Sequence, residues 1–596
     1  MSHDFVLEPA ERWLAHDPDP ETQSELRQLI AAARAGEEGV RAELAERFAG
    51  PLEFGTAGIR GVLGAGESRM NRAVILRTTA GLARYLLATL GDKARSAGVV
   101  VGYDARRRSR EFAEDTACAL AAAGIPSHLS PVPCPTPIAA FAVGHLGAAA
   151  GVMVTASHNP PEYNGYKVYW DNAAQIIPPH DTGIATAIDA APPADQVPRM
   201  PLDEARQKGL VRDFPEELEE RYLRAILGAS ARGDGDRGLR IVYTPLHGVG
   251  DRLVREALER AGFTRVTSVP EQAEPDGAFP TVAFPNPEEK GAMDLAFALA
   301  RREGADLVLA NDPDVDRLAV AVRRPDGELV QLTGNQVGVL LGHYLLTEGG
   351  AGGAGAGAAN ERRLVLASCV STPLLGVIAA SLGVHYEETL TGFKWIANRA
   401  MDIERSTGAR FVFGFEEALG YTIGSTVRDK DGISAAVALA ELAAARKAGG
   451  TTLLDELEAI HRKHGLYVSG QRSYTLRGVD GVEKIAAIMA ALRKSPPADI
   501  GGVSVAAWRD FEARTRTSSD GQTEPLVLPP SNVLVYELDG GSRIIARPSG
   551  TEPKIKFYFD VREEVAAGEP LADAEARAAA RLDALARAFS ALAGVG

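Results

Sequence analysis

The run Thr155-Ala156-Ser157-His158-Asn159-Pro160 sets a hydroxyl beside an imidazole directly after the apolar stretch 149–154. Ser157 is a candidate nucleophile, because a serine becomes one only where its surroundings activate it; the same run alone also fits a polar turn at a strand end. Asp312, Asp314 and Asp316 alternate in the tight segment Asn311-Asp312-Pro313-Asp314-Val315-Asp316-Arg317. Such spacing lets three carboxylates converge on one hard divalent cation, which relieves their mutual repulsion. The downstream glycine and glutamate of an EF-hand are absent. Arg547-Pro548-Ser549-Gly550-Thr551 offers an arginine, two hydroxyls and a glycine in one loop, a set suited to holding a phosphate. The glycine-rich turn 54–61 carries Arg60, whose fork matches an anion as well as it suits a solvated surface turn. Lys167, ten residues beyond Ser157, is placed to return to the same pocket or to face solvent. Glu416 and Glu417 suit sugar hydroxyls or a helix N-terminus, and Thr391-Gly392-Phe393-Lys394 is a turn bearing a cation.

These residues share a local grammar. Strands are expected over 98–103, up to 154, 240–244, 306–310, 364–368 and 410–414, most of them emptying into polar or charged loops. In open parallel sheets ligands bind outside the carboxyl ends of the strands, so three α/β units could aim three loops at one cleft. Ahead of them, 21–48 reads as helical. Asp104 and Arg106 follow the first strand, Ser109 opens a helix, and the proline-dense 131–137 is a rigid connector without chemistry. Asn164-Gly165 reads as a turn from which Lys167 opens a strand. Six prolines from Pro178 onward mark 171–205 as a border. A second unit is expected from about Asp213 with a helix over 288–302, and a third surrounds the Gly/Ala-rich insertion 349–359. The last part changes character: strands over 466–476 and 533–538, a helix over 482–492, the Arg547 hairpin, and a closing helix over 572–593.

At 596 residues the chain exceeds one core and suggests roughly three to five domains. A formal net charge of −15 argues against nucleic-acid and anionic-membrane partners. It leaves room for small anionic substrates in a local cationic pocket. Cys118, Cys134 and Cys369 show no metal or redox spacing, which fits a cytoplasmic location. No signal-peptide stretch is read, and the apolar segment 138–154 reads as helix end, turn and buried strand rather than a membrane span.

In order, the stretches 151–167, 312–317, 415–421 and 547–558 resemble the phosphoserine, metal, sugar and phosphate loops of the α-D-phosphohexomutase superfamily. The resemblance covers nearly the whole chain. It is greatest to the long bacterial phosphoglucomutase/phosphomannomutase group, itself similar to eukaryotic phosphopentomutase. It implies three similar mixed α/β domains, over 1–207, 208–324 and 325–465, plus a C-terminal α+β domain over 466–596, around a central cleft. It implies phosphoserine at Ser157 and one Mg²⁺ per chain held by Asp312, Asp314, Asp316 and Ser157. Arg60, His158, Lys167 and Arg317 would line the transfer site, with Lys167 a proton shuttle. Thr391, Gly392, Lys394, Glu416 and Glu417 would meet the sugar. Arg547, Ser549, Gly550 and Thr551 would clamp the phosphate not being transferred. The activity implied is transfer between the 1- and 6-positions of a hexose phosphate (glucose or mannose), with a glucose 1,6-bisphosphate-type activator. The partner is a small-molecule sugar phosphate, with no nucleic acid and no membrane, the chain acting as monomer or dimer. Many hexose-specific members carry a serine where this chain has Ala418. That departure keeps a 1↔5 phosphopentomutase acting on ribose or deoxyribose phosphate as an alternative, and a sugar-bisphosphate synthase is another. A serine phosphohydrolase lacks a use for the Arg547 loop, and a non-catalytic sugar-phosphate binder lacks one for the serine, aspartates and lysine.

Overall fold

The computed structural model describes residues 4–229, 235–349, 359–476, 481–549 and 554–595. The interior of the Gly/Ala-rich insertion lies outside them. The chain divides into two compact units. The first runs to Leu332 and takes in Gly420–Ala444; the second holds 333–349, 359–419 and 445 onward.

The first unit contains two mixed sheets. Strands β1 (Ile59–Val62), β2 (Val99–Tyr103), β3 (Ser127–Leu129), β4 (Ala150–Val154), β5 (Tyr163–Trp170) and β6 (Val211–Asp213) stand in the order β1-β5-β4-β2-β3-β6. β2, β3, β4 and β6 are parallel, β5 runs against them, and β1, antiparallel to β5, runs with them again. Every residue of β2 and β4 is buried, as expected for parallel strands covered on both faces. Helix Arg72–Leu90 has the length and apolarity of a membrane span, but half of that window is buried, and Ile75, Leu82 and Leu86 belong to the core of this sheet. The segment 138–154 resolves into helix Thr136–Leu146 and β4.

The second sheet holds β7 (Ile241–Thr244), β8 (Val266–Ser268), β9 (Leu307–Ala310), β10 (Ala319–Arg323) and β11 (Leu329–Gln331), in the order β11-β10-β9-β7-β8. β9 is parallel to β7 and antiparallel to β10. Both sheets thus contain a buried parallel strand that ends in a loop and returns antiparallel: β4 to β5, and β9 to β10.

Several local expectations shift. Asn164-Gly165 is not a turn but lies inside β5: Asn164 Nδ2 donates to Arg107 O and Ser109 Oγ, and a Cβ on Gly165 would stand 2.6 Å from Thr155 O. The glycine serves close backbone approach. The border segment 171–205 instead contributes helix His180–Asp189, packed on Arg72–Leu90. The helix expected from Glu288 starts at Asp294, because Asn286 first caps a turn by accepting from Glu288 N–H.

In the second unit, β12 (Arg363–Ser368), β13 (His385–Thr389) and β14 (Arg410–Glu416) are parallel in the order β13-β12-β14. The C-terminal part is antiparallel throughout: β15 (Leu466–Thr475), β16 (Asp499–Ile500), β17 (Val503–Asp510), β18 (Thr515–Ser518), β19 (Thr523–Pro525), β20 (Leu534–Leu538), β21 (Arg543–Pro548) and β22 (Lys554–Glu563). Helices Gly481–Lys494 and Leu571–Leu592 cover it through Ile485, Met489, Leu585 and Phe589.

Candidate functional site

Three adjacent strands set the first cluster. Met153 of β4 pairs with Lys167 of β5, and Gly165 of β5 pairs with Arg60 of β1. The loop leaving β4 therefore starts beside both cations. Gly58 makes the turn before Arg60 with φ +75°, and a Cβ there would collide with Tyr166 O at 1.8 Å. Arg60 Nη1 donates to Asn159 Oδ1 at 2.8 Å.

Ser157 is buried and holds φ +52°, a left-handed conformation rare outside glycine and asparagine. The surroundings fix it there. Its N–H donates to Thr155 Oγ1 at 2.8 Å, and Arg106 Nη2 donates to its carbonyl at 2.6 Å. Arg106 Nη1 also donates to Pro160 O at 2.8 Å, while the guanidinium lies 3.3 Å from Asp104 and over the ring of Phe279. A fully buried arginine thus braces the serine loop.

Asp312, Asp314 and Asp316 leave β9 with ligand oxygens within 4.8 Å of one another, all buried. Ser157 Oγ donates to Asp312 Oδ2 at 2.7 Å and stands 3.2 Å from His158 Nδ1. Lys167 Nζ reaches Asp314 Oδ2 at 2.8 Å and Asp316 Oδ2 at 3.0 Å. Arg317 Nε lies 3.9 Å from Asp312 Oδ2 and 3.8 Å from Asp316 Oδ1. Burial, then the charges of Asp314 and Asp316, push the Asp312 carboxyl well above the usual range. Burial opposes ionisation of Asp314 and Asp316 too, but Lys167 outweighs it and holds both low. Burial depresses Lys167, and the same two aspartates more than restore its charge. His158 is held well below its ordinary range by burial, Arg317 and Arg60, so its ring is neutral.

Asp314 Oδ1 and Asp316 Oδ1 are buried and make no hydrogen bond. Orphaned carboxylate oxygens are costly, and an oxygen-only donor set fits a hard divalent cation such as Mg²⁺.

Two contributors escaped the sequence reading. Thr136, in the connector assigned no chemistry, donates through Oγ1 to Asp314 Oδ2 at 2.8 Å and through its N–H to Asp314 O. Lys430 Nζ lies 3.2 Å from Asp316 Oδ2 and 3.3 Å from Asp429 Oδ1. A bridge between Gly420 and Arg317 brings its segment to the aspartate loop, and Tyr169 and Gln175 donate to Asp429 Oδ2. Its signal was the cluster Arg428-Asp429-Lys430-Asp431, alternating charges before a helix.

In the second unit, Glu416 Oε1 accepts from Gly392 N–H at 2.6 Å. Glu417 Oε2 accepts from Ser371 Oγ at 3.2 Å and Ser368 Oγ at 3.3 Å, and its own N–H donates to Ser371 Oγ at 3.0 Å. Thr391 Oγ1 is buried without a hydrogen bond, and Lys394 falls in the first turn of helix Phe393–Thr407 rather than in a free turn. Arg547 is the penultimate residue of β21, and Ser549 N–H donates to Lys554 O at 2.7 Å. Gly550 and Thr551 lie outside the described residues. Tyr558 joins the two sets: burial and the Glu417 charge push its phenol up to about 12, against a hydrogen bond from Arg547.

A buried serine seated on a carboxylate triad, on repeated mixed α/β domains followed by an antiparallel α+β domain, defines a metal-assisted phosphoryl-transfer enzyme. The chain belongs to the phosphoglucomutase/phosphomannomutase family, whose members are intramolecular phosphotransferases. It matches the description of alpha/beta/alpha domain I over 51–194, domain II over 220–327, domain III over 333–461 and the C-terminal domain over 479–578. It is 38% identical over 570 residues to phosphopentomutase from Homo sapiens, covering 92% of this chain and 90% of that protein. It is 42% identical over 497 residues to a probable phosphomannomutase from Haemophilus influenzae, covering 83% and 93%. Among solved structures, a putative phosphomannomutase from Thermus thermophilus shares the fold with TM-score 0.62 at 23% identity, over 89% of this chain and 99% of that one.

Proposed function

We propose that the chain is a phosphosugar mutase working through phosphorylated Ser157 and a sugar-bisphosphate intermediate, with a hexose phosphate of gluco or manno configuration as substrate. The observation that carries this is Ser157 Oγ, buried 2.7 Å from Asp312 Oδ2, in a carboxylate triad whose other two members hold Lys167. In the forward step the free terminal hydroxyl of a sugar 1-phosphate attacks phosphorus. The new O–P bond forms as the Ser157 Oγ–P bond breaks. Lys167 gives a proton to departing Oγ and recovers the one released by the hydroxyl. After the bisphosphate turns around, its 1-phosphate returns to Ser157. Phosphoryl transfer depends on positioning and charge neutralisation, which Arg60, Arg317 and Lys167 supply here. When bound by Asp312, Asp314, Asp316 and Ser157, a divalent cation such as Mg²⁺ would neutralise charge on the phosphoryl oxygens. Neutral His158 can orient Oγ without adding positive charge. Glu416 and Glu417 would select sugar hydroxyls, and Arg547, Ser549, Gly550 and Thr551 would hold the second phosphate. A glucose 1,6-bisphosphate-type activator would re-phosphorylate the serine.

Ala418 favours a second reading, transfer between the 1- and 5-positions of ribose or deoxyribose phosphate, because it offers no hydroxyl beside the glutamates. The kcat/KM values for glucose, mannose, ribose and deoxyribose 1-phosphates, with Mg²⁺ and a trace of glucose 1,6-bisphosphate, decide between them. A lead of more than about tenfold, roughly 1.4 kcal/mol of transition-state preference, assigns the sugar. Release of inorganic phosphate without isomerisation would overturn the mutase reading.

A further inference from the structure

A second cavity lies in the first unit on the side of β1 served by Ile59, and nothing in the proposed reaction uses it. Its volume is about 850 Å³, within the range of small-molecule sites. Its outer wall comes from the N-terminal helices through Trp13 and Phe48, whose rings meet edge to face at 6.3 Å. Residues 4–50 precede the stretch matched by the family's first domain. The inner wall is Phe54 and Ile59, the two ends of the turn that delivers Arg60 to the serine loop. Helix Arg72–Leu90 supplies Arg77 as part of the floor.

The lining is mostly apolar, with Thr78 and a few ionisable side chains as its polar part. Its ionisable members are Arg12, His16, Glu67 and Arg77; Arg12 pairs with exposed Glu8 at 2.8 Å and His16 with Asp195 at 2.9 Å, whereas Arg77 makes no ion pair among the described residues. Arg77 Nε is buried and makes no hydrogen bond, and its Nη2 reaches only Ile188 O at 3.5 Å. Under-bonded guanidinium groups are costly, and half-buried Arg77, which lines the cavity, therefore favours an acceptor that enters it. Burial, outweighing nearby Arg77 and Arg12, raises the Glu67 carboxyl.

We propose that this cavity is an effector site for a small organic monoanion with an aromatic body, the ring lying against Trp13, Phe48 and Phe54 and the acid meeting Arg77. Because Phe54 and Ile59 frame the turn of Arg60, occupancy changes the KM for the sugar phosphate. That coupling rests on the mutase reading; the binding does not.

The test titrates the full chain with 8-anilinonaphthalene-1-sulfonate, an aromatic monoanion, under saturating sugar phosphate so that the reaction site is filled. One saturable site is expected. Arg77→Met should weaken it at least tenfold. Ala49→Trp, which fills the cavity from an exposed position on its lining, should do the same while leaving turnover without probe unchanged. Saturating probe should shift the KM at least threefold in the parent chain and not in Ala49→Trp. Equal probe affinity in the parent and Ala49→Trp, or no saturable binding, would overturn the site. Binding without a KM shift would overturn the link to Arg60, with the binding result standing apart from the identity of the sugar.

Discussion

Ser157 Oγ and Asp312 Oδ2 meet at 2.7 Å although 155 residues separate them in the chain. Each sits just past the end of a buried parallel strand, β4 or β9, so the bond joins the reactive ends of two sheets. With phosphoryl transfer routed through this hydroxyl, Ser157→Ala should lower kcat/KM by more than about a thousandfold. The substitution removes one small group from a loop braced by Arg106, so the melting temperature should change little. Near-parental mutase activity in Ser157→Ala would sink the proposed mechanism.

Three buried carboxylates share Lys167, Lys430 and Arg317, yet Asp314 Oδ1 and Asp316 Oδ1 find no hydrogen bond. A divalent cation binding the folded state should therefore stabilise it. At a hundredfold excess over Kd the linkage gives about 2.7 kcal/mol. Scanning calorimetry with Mg²⁺ and after chelation should show a higher transition with metal, and chelation should abolish turnover reversibly. Identical transitions would contradict the assignment of the triad.

Lys430 is the second ammonium at Asp316, and its segment arrives through the Gly420–Arg317 bridge. Lys430→Met would leave Asp316 and Asp429 less compensated in a buried setting. A stability loss of about 3 kcal/mol is expected from breaking such a pair. Activity should drop about a hundredfold if the charge also serves transfer. Urea denaturation and steady-state rates separate the two; a loss of stability with unchanged kcat would confine Lys430 to structure.

The legible parts of the sequence were those whose chemistry is local. Asp312, Asp314 and Asp316 lie within five positions, so their convergence followed from spacing. The strands 149–154 and 306–310 were visible as short apolar runs that end in polar residues. Lys430 and Thr136 were not, because each reaches the aspartates through tertiary return, one from beyond the second unit's segment and one from a proline-rich connector. Gly165 misled for a related reason: an Asn-Gly pair signals a turn locally, whereas here the glycine answers to Thr155 O on a neighbouring segment. The echo among the apolar strands that end in the Ser157, aspartate and glutamate loops was readable as repetition, but the antiparallel returns were not, and register, which sets Lys167 beside Met153, exists only between strands.

His461, in helix Leu453–His464, is buried and its pKa falls to about 4, the burial outweighing the charge of Glu458. A depressed histidine contributes stability in full above its unfolded pKa near 6.5. That contribution is lost as pH falls toward 4, because the unfolded chain takes up a proton that the folded chain refuses. The difference corresponds to roughly 3 kcal/mol. Urea midpoints between pH 7 and 4 should fall less steeply in His461→Leu than in the parent chain. Parallel profiles would show that another group governs acid unfolding.

Arg543 connects the antiparallel part of the second unit to the loop of Glu416 and Glu417. Its guanidinium bonds Asp560 at 2.8 Å and Glu388 at 2.7 Å and donates to the carbonyl of Ser371, whose hydroxyl bonds Glu417. Burial alone would raise Glu388, but Arg509 and Arg543 bring it down to about 2. Arg543→Met removes one partner from a buried network, which typically costs about 3–5 kcal/mol. Arg543→Lys keeps the charge but cannot span Asp560, Glu388 and Ser371 at once. If the arginine positions Glu417 through Ser371, Arg543→Lys should raise the KM for the sugar phosphate several-fold with kcat nearly kept. Ser371→Ala should raise it similarly, and the double variant should add little to either. Additive KM effects would instead mean that Arg543 only fastens the two sheets, and that Glu417 is held by Ser368 and Ser371 alone.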